Sequence, residues 1–137
     1  MSKCVTEKVK FSCVNVAGER EAYSICLQIP KEDAASLAKI QQAIDEATQE
    51  GIADTWNGRR PEKLRTPLRS GENDLFFINA TSWQRPEVVD KDLHILRDPG
   101  AVKSGDWGKA SITFFPYRIK GSCGIGAGLN NIQLLSF

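Results

Sequence analysis

Residues 109–131, KASITFFPYRIKGSCGIGAGLNN, decide how this chain is read. An alternating apolar run, KASITFFPY (109–117), is followed by four glycines within eight positions, Gly121, Gly124, Gly126 and Gly128. A dinucleotide fingerprint would need G-x-G-x-x-G between a strand and a helix whose N-terminus receives the pyrophosphate. Here Gly124-x-Gly126-x-Gly128 leads into Leu129-Asn130-Asn131 and a β-like tail, and no Gly-Lys-Ser/Thr of a P-loop is present. Glycine within a strand instead marks a bulge, a sharp bend or a close approach to the backbone. The segment therefore reads as a strand that must bend or admit a neighbour.

Side chains alternate across a strand. In 109–117 that puts Ala110, Ile112 and Phe114 on one face, and Lys109, Ser111, Thr113, Phe115 and Tyr117 on the other. LFFINATS (75–82) behaves the same way: Phe76, Ile78 and Ala80 share the apolar face, while Leu75, Phe77, Asn79 and Thr81 share the other, whose parity extends to Trp83. Both strands thus carry large rings on their more polar side, with Arg85 and Arg118 just beyond their ends. Bases of a single strand stack on such rings at roughly 1–3 kcal/mol each while basic side chains follow the phosphates. The competing expectation is that Phe77 and Phe115 form the bed for a helix.

Working outward, Lys8–Val16 and Glu21–Ile29 alternate and flank a Gly18-Glu19 turn, which predicts a hairpin with Val9, Phe11, Cys13 and Asn15 on one face and Tyr23, Ile25, Leu27 and Ile29 on the other strand's common face. Residues 31–50 predict a helix with an apolar stripe of Leu37, Ile40, Ile44 and Ala47, acids in its first turn and a stop at Gly51. Residues 51–74 lose periodicity, and a connection that long is usually functional. The span 83–108 holds short extended pieces and turns such as Asp98-Pro99-Gly100, and Ile125–Leu135 predicts a last strand broken by glycine. Strands, one main helix, then more strands suit a small barrel or sandwich of mainly β class in a single domain, 1–137.

The 137 residues and a net charge of +1 fit one soluble globular domain. No apolar run approaches a membrane span, and MSKCVTEKVK has no secretory h-region, so a cytosolic location without membrane partners is expected. Cysteines 4, 13, 26 and 123 form no C-x-x-C pair, which predicts reduced thiols and no zinc. Charge is unevenly spread. Arg59, Arg60, Lys63, Arg65 and Arg69 face one acid, Glu62, and from Gly108 onward Lys109, Arg118 and Lys120 meet no acid. Basic segments flanking aromatic strands suit a polyanion.

Catalytic signals are sparse. Asp90-x-Asp92-x-His94 could hold a divalent metal in an extended strand, although the same residues are good turn formers. A serine or cysteine nucleophile would have only His94 as a base. The expectation is a non-enzyme without cofactor or metal, and a metal-dependent hydrolase at Asp90, Asp92 and His94 is the reading to be tested against it.

IPKEDAASLAKIQQAI (29–44), TPLRSGE (66–72), FFINATSWQRPEVVD (76–90), SGDWGKASITFFPY (104–117) and GIGAGLNNIQ (124–133) together resemble the successive blocks of a bacteriophage single-stranded-DNA-binding protein family, once filed as a domain of unknown function. The resemblance implies an OB-fold, a five-stranded barrel with an accompanying helix. It also implies non-catalytic coating of single strands in phage replication or recombination, in the cytoplasm of the infected bacterial host. Duplex DNA would be a weaker ligand, and phage or host replication proteins are candidate partners. Parity and charge, rather than the resemblance, nominate Trp83, Arg85, Phe77, Phe115, Tyr117, Arg118, Lys109, Lys120, Arg59, Arg60, Lys63 and Arg65 as the nucleic-acid-binding set. The alternative is a protein-interaction module that uses the same aromatic patch as a hot spot. Single-strand binders commonly carry an acidic C-terminal tail. With no acid after Asp106, weaker discrimination between nucleic acids is expected, and a gel shift with an acidic tail added tests it.

Overall fold

The computed structural model describes residues 2–15, 23–71, 74–84, 86–97 and 102–136. The predicted turns at 18–19 and 98–100, and Arg85, lie outside the described residues. Among the described residues nine strands pair into one sheet: β1 (Ser2–Val5), β2 (Val9–Asn15), β3 (Tyr23–Pro30), β4 (Leu64–Arg65), β5 (Leu68–Ser70), β6 (Leu75–Ser82), β7 (Glu87–Val89), β8 (Trp107–Ile119) and β9 (Ser122–Ser136). Five of them close a ring in the order β2-β3-β6-β9-β8 and back to β2. β6 and β9 run parallel at Thr81 and Gly128, and the ring closes where β2 meets β8 at Val9–Gly108 and Lys10–Trp107.

The alternation read from the sequence sets the core. Val9, Phe11, Ile25, Leu27, Ile29, Ile78, Ala80, Ala110, Ile112 and Phe114 are all buried inside the ring. Among the described residues three register shifts occur, one in β2 and two in β9 (at Asn130 and at Leu135), and the first two bear on the core. Two residues of β2, Cys13 and Val14, stand opposite Ile25 of β3, and Cys13 takes a φ of 47°. Cys13 is therefore exposed while Val14 packs on the core, which corrects the expectation that Cys13 shares the face of Phe11. In β9 the register slips at Asn130, between Ser111–Asn131 and Ile112–Leu129. A one-residue slip exchanges the faces. Ile125, Ala127 and Leu129 point inward before it, Ile132 and Leu134 after it. The last strand runs unbroken through its glycines.

The helix α1 (Ala34–Glu50) caps the ring with Ile40, Ala43, Ile44 and Ala47 buried and Leu37 partly so. It starts three residues later than predicted. Asp33 is its N-cap, accepting from the Ser36 amide at 3.2 Å and the Ser36 hydroxyl at 2.7 Å, and the first turn has no acid. Nor does Gly51 end the helical path. It is right-handed, with φ −63°, and a π-helical turn, Gly51–Thr55, follows. The glycine is there for space: a Cβ would lie 2.6 Å from the ring of buried Trp56 and 2.7 Å from Pro116. The left-handed stop comes at Asn57 and Gly58.

Candidate nucleic-acid interface

The unperiodic segment after α1 gives the ring its open side. β4 pairs with β9 at Leu64–Cys123 and Arg65–Gly124, whereas β5 pairs with β6 at Leu68–Ile78, Arg69–Phe77 and Ser70–Phe76. The other edges of β9 and β6 are taken by β8 and β3. Residues 64–70 therefore span the wedge where β6 and β9 diverge from their contact at Thr81 and Gly128. This strap is held at both ends by main-chain pairing, which fixes where its side chains start.

Beside the strap lies a groove of about 380 Å³. Its walls include Arg65 and Arg69 from the strap, Asn79 and Thr81 from β6, and Phe115 and Tyr117 from β8. No acid among the described residues lines it. A hollow of about 520 Å³ along α1 has the opposite character, with Asp45 and Glu46 in its lining, and suits no polyanion.

The two rings owe their posture to β9. Phe115 stands opposite Gly126 and Tyr117 opposite Gly124. A Cβ at Gly126 would fall 2.4 to 3.1 Å from three atoms of the Phe115 ring, and one at Gly124 would fall 2.6 Å from the Tyr117 hydroxyl. Each ring thus lies across β9 in the space a side chain would fill. Gly124 also admits the Arg65 carbonyl, 2.8 Å from that Cβ position. Trp56, in the core, donates from Nε1 to the Tyr117 carbonyl at 3.1 Å and anchors the same point of β8 from behind. One residue pair farther along, Asn130 donates from its amide to the Thr113 hydroxyl at 2.8 Å.

The predicted residues separate into groups. Phe115, Tyr117 and Arg65 line the groove. Phe77 is half-buried on the outer face, paired with Arg69 and against Gly71, one step outside it. Neither Phe77 nor Phe115 belongs to the core cluster that the buried face of α1 joins, whereas Ile112 and Phe114 do. Arg59, Arg60 and Lys63 are exposed on the approach to the strap. Arg118 and Lys120 are exposed at the tip of the β8–β9 hairpin, where Lys120 and Gly121 form a two-residue turn with φ of 48° and 80°. Lys109 shares the face of Phe115 but sits beside Gln133, six residues away, or about 20 Å along the strand. It is not brought to the groove. Trp83 is 80% exposed just past β6 and does not line the groove either. Arg69, Asn79 and Thr81 belong to the groove, although nothing in their spacing ranked them above other polar residues.

Asp90, Asp92 and His94 do converge, their potential ligand atoms lying within 4.8 Å of one another. They do so in a turn rather than a strand. Asp90 Oδ1 accepts from the amides of Asp92 and His94, each at 2.9 Å, and Oδ2 lies 3.3 Å from His94 Nδ1. The His94 amide foremost holds the Asp90 carboxyl below its ordinary range. These bonds give the carboxylate a structural task in the turn. Cys4 and Cys26 are buried, Cys13 is exposed and Cys123 is half-buried, all four as free thiols, and burial pushes the Cys4 thiol up.

A five-stranded ring capped by α1 is a barrel of the oligonucleotide/oligosaccharide-binding type. Residues 3–136 match the Enterobacter phage Enc34 ssDNA-binding protein family, and the chain belongs to it. Among solved structures it is similar to the C-terminally truncated single-stranded DNA-binding protein of bacteriophage Enc34 (TM-score 0.82, 19% identity, covering 99% of this chain and 85% of that one). It is also similar to that phage protein in complex with ssDNA (TM-score 0.79, 18% identity, 99% and 87% covered). A third similar structure is gp2.5, a single-stranded DNA binding protein encoded by bacteriophage T7 (TM-score 0.78, 13% identity, 100% and 93% covered). No curated protein sequence matches the chain. Among the described residues, no helix is long and apolar enough to cross a membrane.

Proposed function

We propose that this protein binds single-stranded DNA with little sequence preference and without catalysis, serving phage DNA replication or recombination. The observation that carries the reading is the groove in which Phe115 and Tyr117 lie beside Arg65 and Arg69, with no acid among the described residues of its lining. Rings offer π faces that every base can use, and guanidiniums neutralise phosphates irrespective of sequence. Exposed Arg59, Arg60, Lys63, Arg118 and Lys120 extend the positive field around the groove and guide the strand toward it. Family membership supports the same ligand. Duplex DNA is the weaker ligand, because its bases are already stacked and paired.

The test is a titration of intrinsic tryptophan fluorescence with oligo-dT and with a duplex of equal length, at low and high salt. Trp83 and Trp107 are accessible to a ligand, whereas Trp56 is buried. Salt-sensitive binding that favours the single strand is expected. Absence of binding at low salt would overturn the reading and move a protein-interaction role for the same aromatic patch to first place.

A further inference from the structure

We infer that Gly124 and Gly126 are positioning residues that hold Tyr117 and Phe115 as two separate platforms, so that the groove takes two successive bases of an unstacked strand. The inference rests on the single-strand reading above and deepens it. Phe115 and Tyr117 are two residues apart on one face of β8, which separates their attachment points by about 7 Å. Bases in a duplex rise about 3.4 Å per step. Neighbouring bases can cover both rings only after they have come apart from each other. Rings standing upright would offer edges to the groove. Rings laid across β9 offer faces, and they lie down because positions 124 and 126 carry no side chain. The seat is specific to these pairs. At Gly128, opposite Thr113, a Cβ would meet its nearest neighbour at 3.6 Å, ordinary contact, so that glycine seats nothing.

The inference predicts a linkage that general loss of structure would not produce. Gly126→Ala should displace the Phe115 ring and lower oligo-dT affinity about tenfold, within the range for one stacked base. The slope of log affinity against log salt should stay unchanged, because no phosphate contact is lost. Preference for oligo-dT over self-stacked oligo-dA should narrow in both Gly126→Ala and Phe115→Ala. In the Phe115→Ala background the three atoms nearest the added methyl, all of the Phe115 ring, are gone, and Gly126→Ala should then change affinity less than twofold. If Gly126→Ala fails to fold, the double variant should fold and bind like Phe115→Ala.

Equal losses from Gly126→Ala in both backgrounds, an altered salt slope, an unchanged dT-to-dA ratio, or a double variant that also fails to fold would each overturn the inference. The glycine would then serve the barrel or the strap rather than the ring. Failure of the unmodified protein to bind oligo-dT is a different result. It refutes the single-strand reading itself, and this inference falls with it.

Discussion

Replacing both strap arginines, Arg65→Ala with Arg69→Ala, should make binding of oligo-dT less sensitive to salt by a calculable amount. Both line the groove, and both start from backbone fixed by pairing to β9 and β6. On the proposed reading each neutralises one phosphate, and each single-strand phosphate contributes about −0.7 to the slope of log affinity against log salt. The double variant should be shallower by about 1.4. Between about 50 and 200 mM salt, where log salt changes by about 0.6, the affinity gap to the unmodified protein should close about sevenfold. Binding isotherms by fluorescence anisotropy at four or five salt concentrations measure it. Phe115→Ala is the control: affinity falls, the slope does not. An unchanged slope in the arginine variant would refute the reasoning. So would an equal drop in slope from Arg59→Ala with Arg60→Ala, which would place the phosphates on the exposed approach segment instead of the strap.

Gly51→Ala should destabilise the fold by about 1–3 kcal/mol, read as a lower denaturation midpoint at unchanged slope, because the methyl meets the Trp56 ring and Pro116. Helix propensity alone would give up to about 1 kcal/mol in the opposite direction, so a more stable variant would mean that the contact yields easily. The Asp90 carboxyl has its pKa lowered in the folded state, so its bonds stabilise the 90–94 turn above the ordinary aspartate value of about 3.9 and are lost as the pH falls through the lowered folded value. Carboxyl-carbon NMR should place its midpoint below about 3.9 and show the His94 amide resonance moving with it. A midpoint at or above that value would mean that the amides do not hold the charged form.

Much of this architecture was legible because burial has a period. The inward sets of β3, β6 and β8 and the stripe of α1 could be written down from alternation and three-to-four spacing, and with them the outward placement of Phe115 and Tyr117. Three features escaped for physical reasons. Gly51 follows an amphipathic helix and resembles an ordinary stop, but its requirement comes from Trp56 and Pro116, the latter 65 residues away in sequence. The slip at Asn130 has no local signature, since either phase of GLNNIQLL supplies apolar residues to the core. The strap has strands of two and three residues, too short to show any period, so Arg65 and Arg69 looked like members of a basic loop. The family resemblance conveyed the barrel and said nothing about which glycine seats which ring.

The strap also separates two properties that most binding surfaces entangle. Its attachment to the barrel is made by main-chain pairing and by the inward side chains of Leu64 and Leu68, which pack on the core. Its outward side chains are thereby released from any duty to the fold. Charge on this segment can be raised, lowered or reversed by single exchanges while the scaffold beneath keeps its shape. For a protein that must grip a polymer and also let go of it, strength of grip becomes an adjustable setting, independent of whether the molecule folds at all.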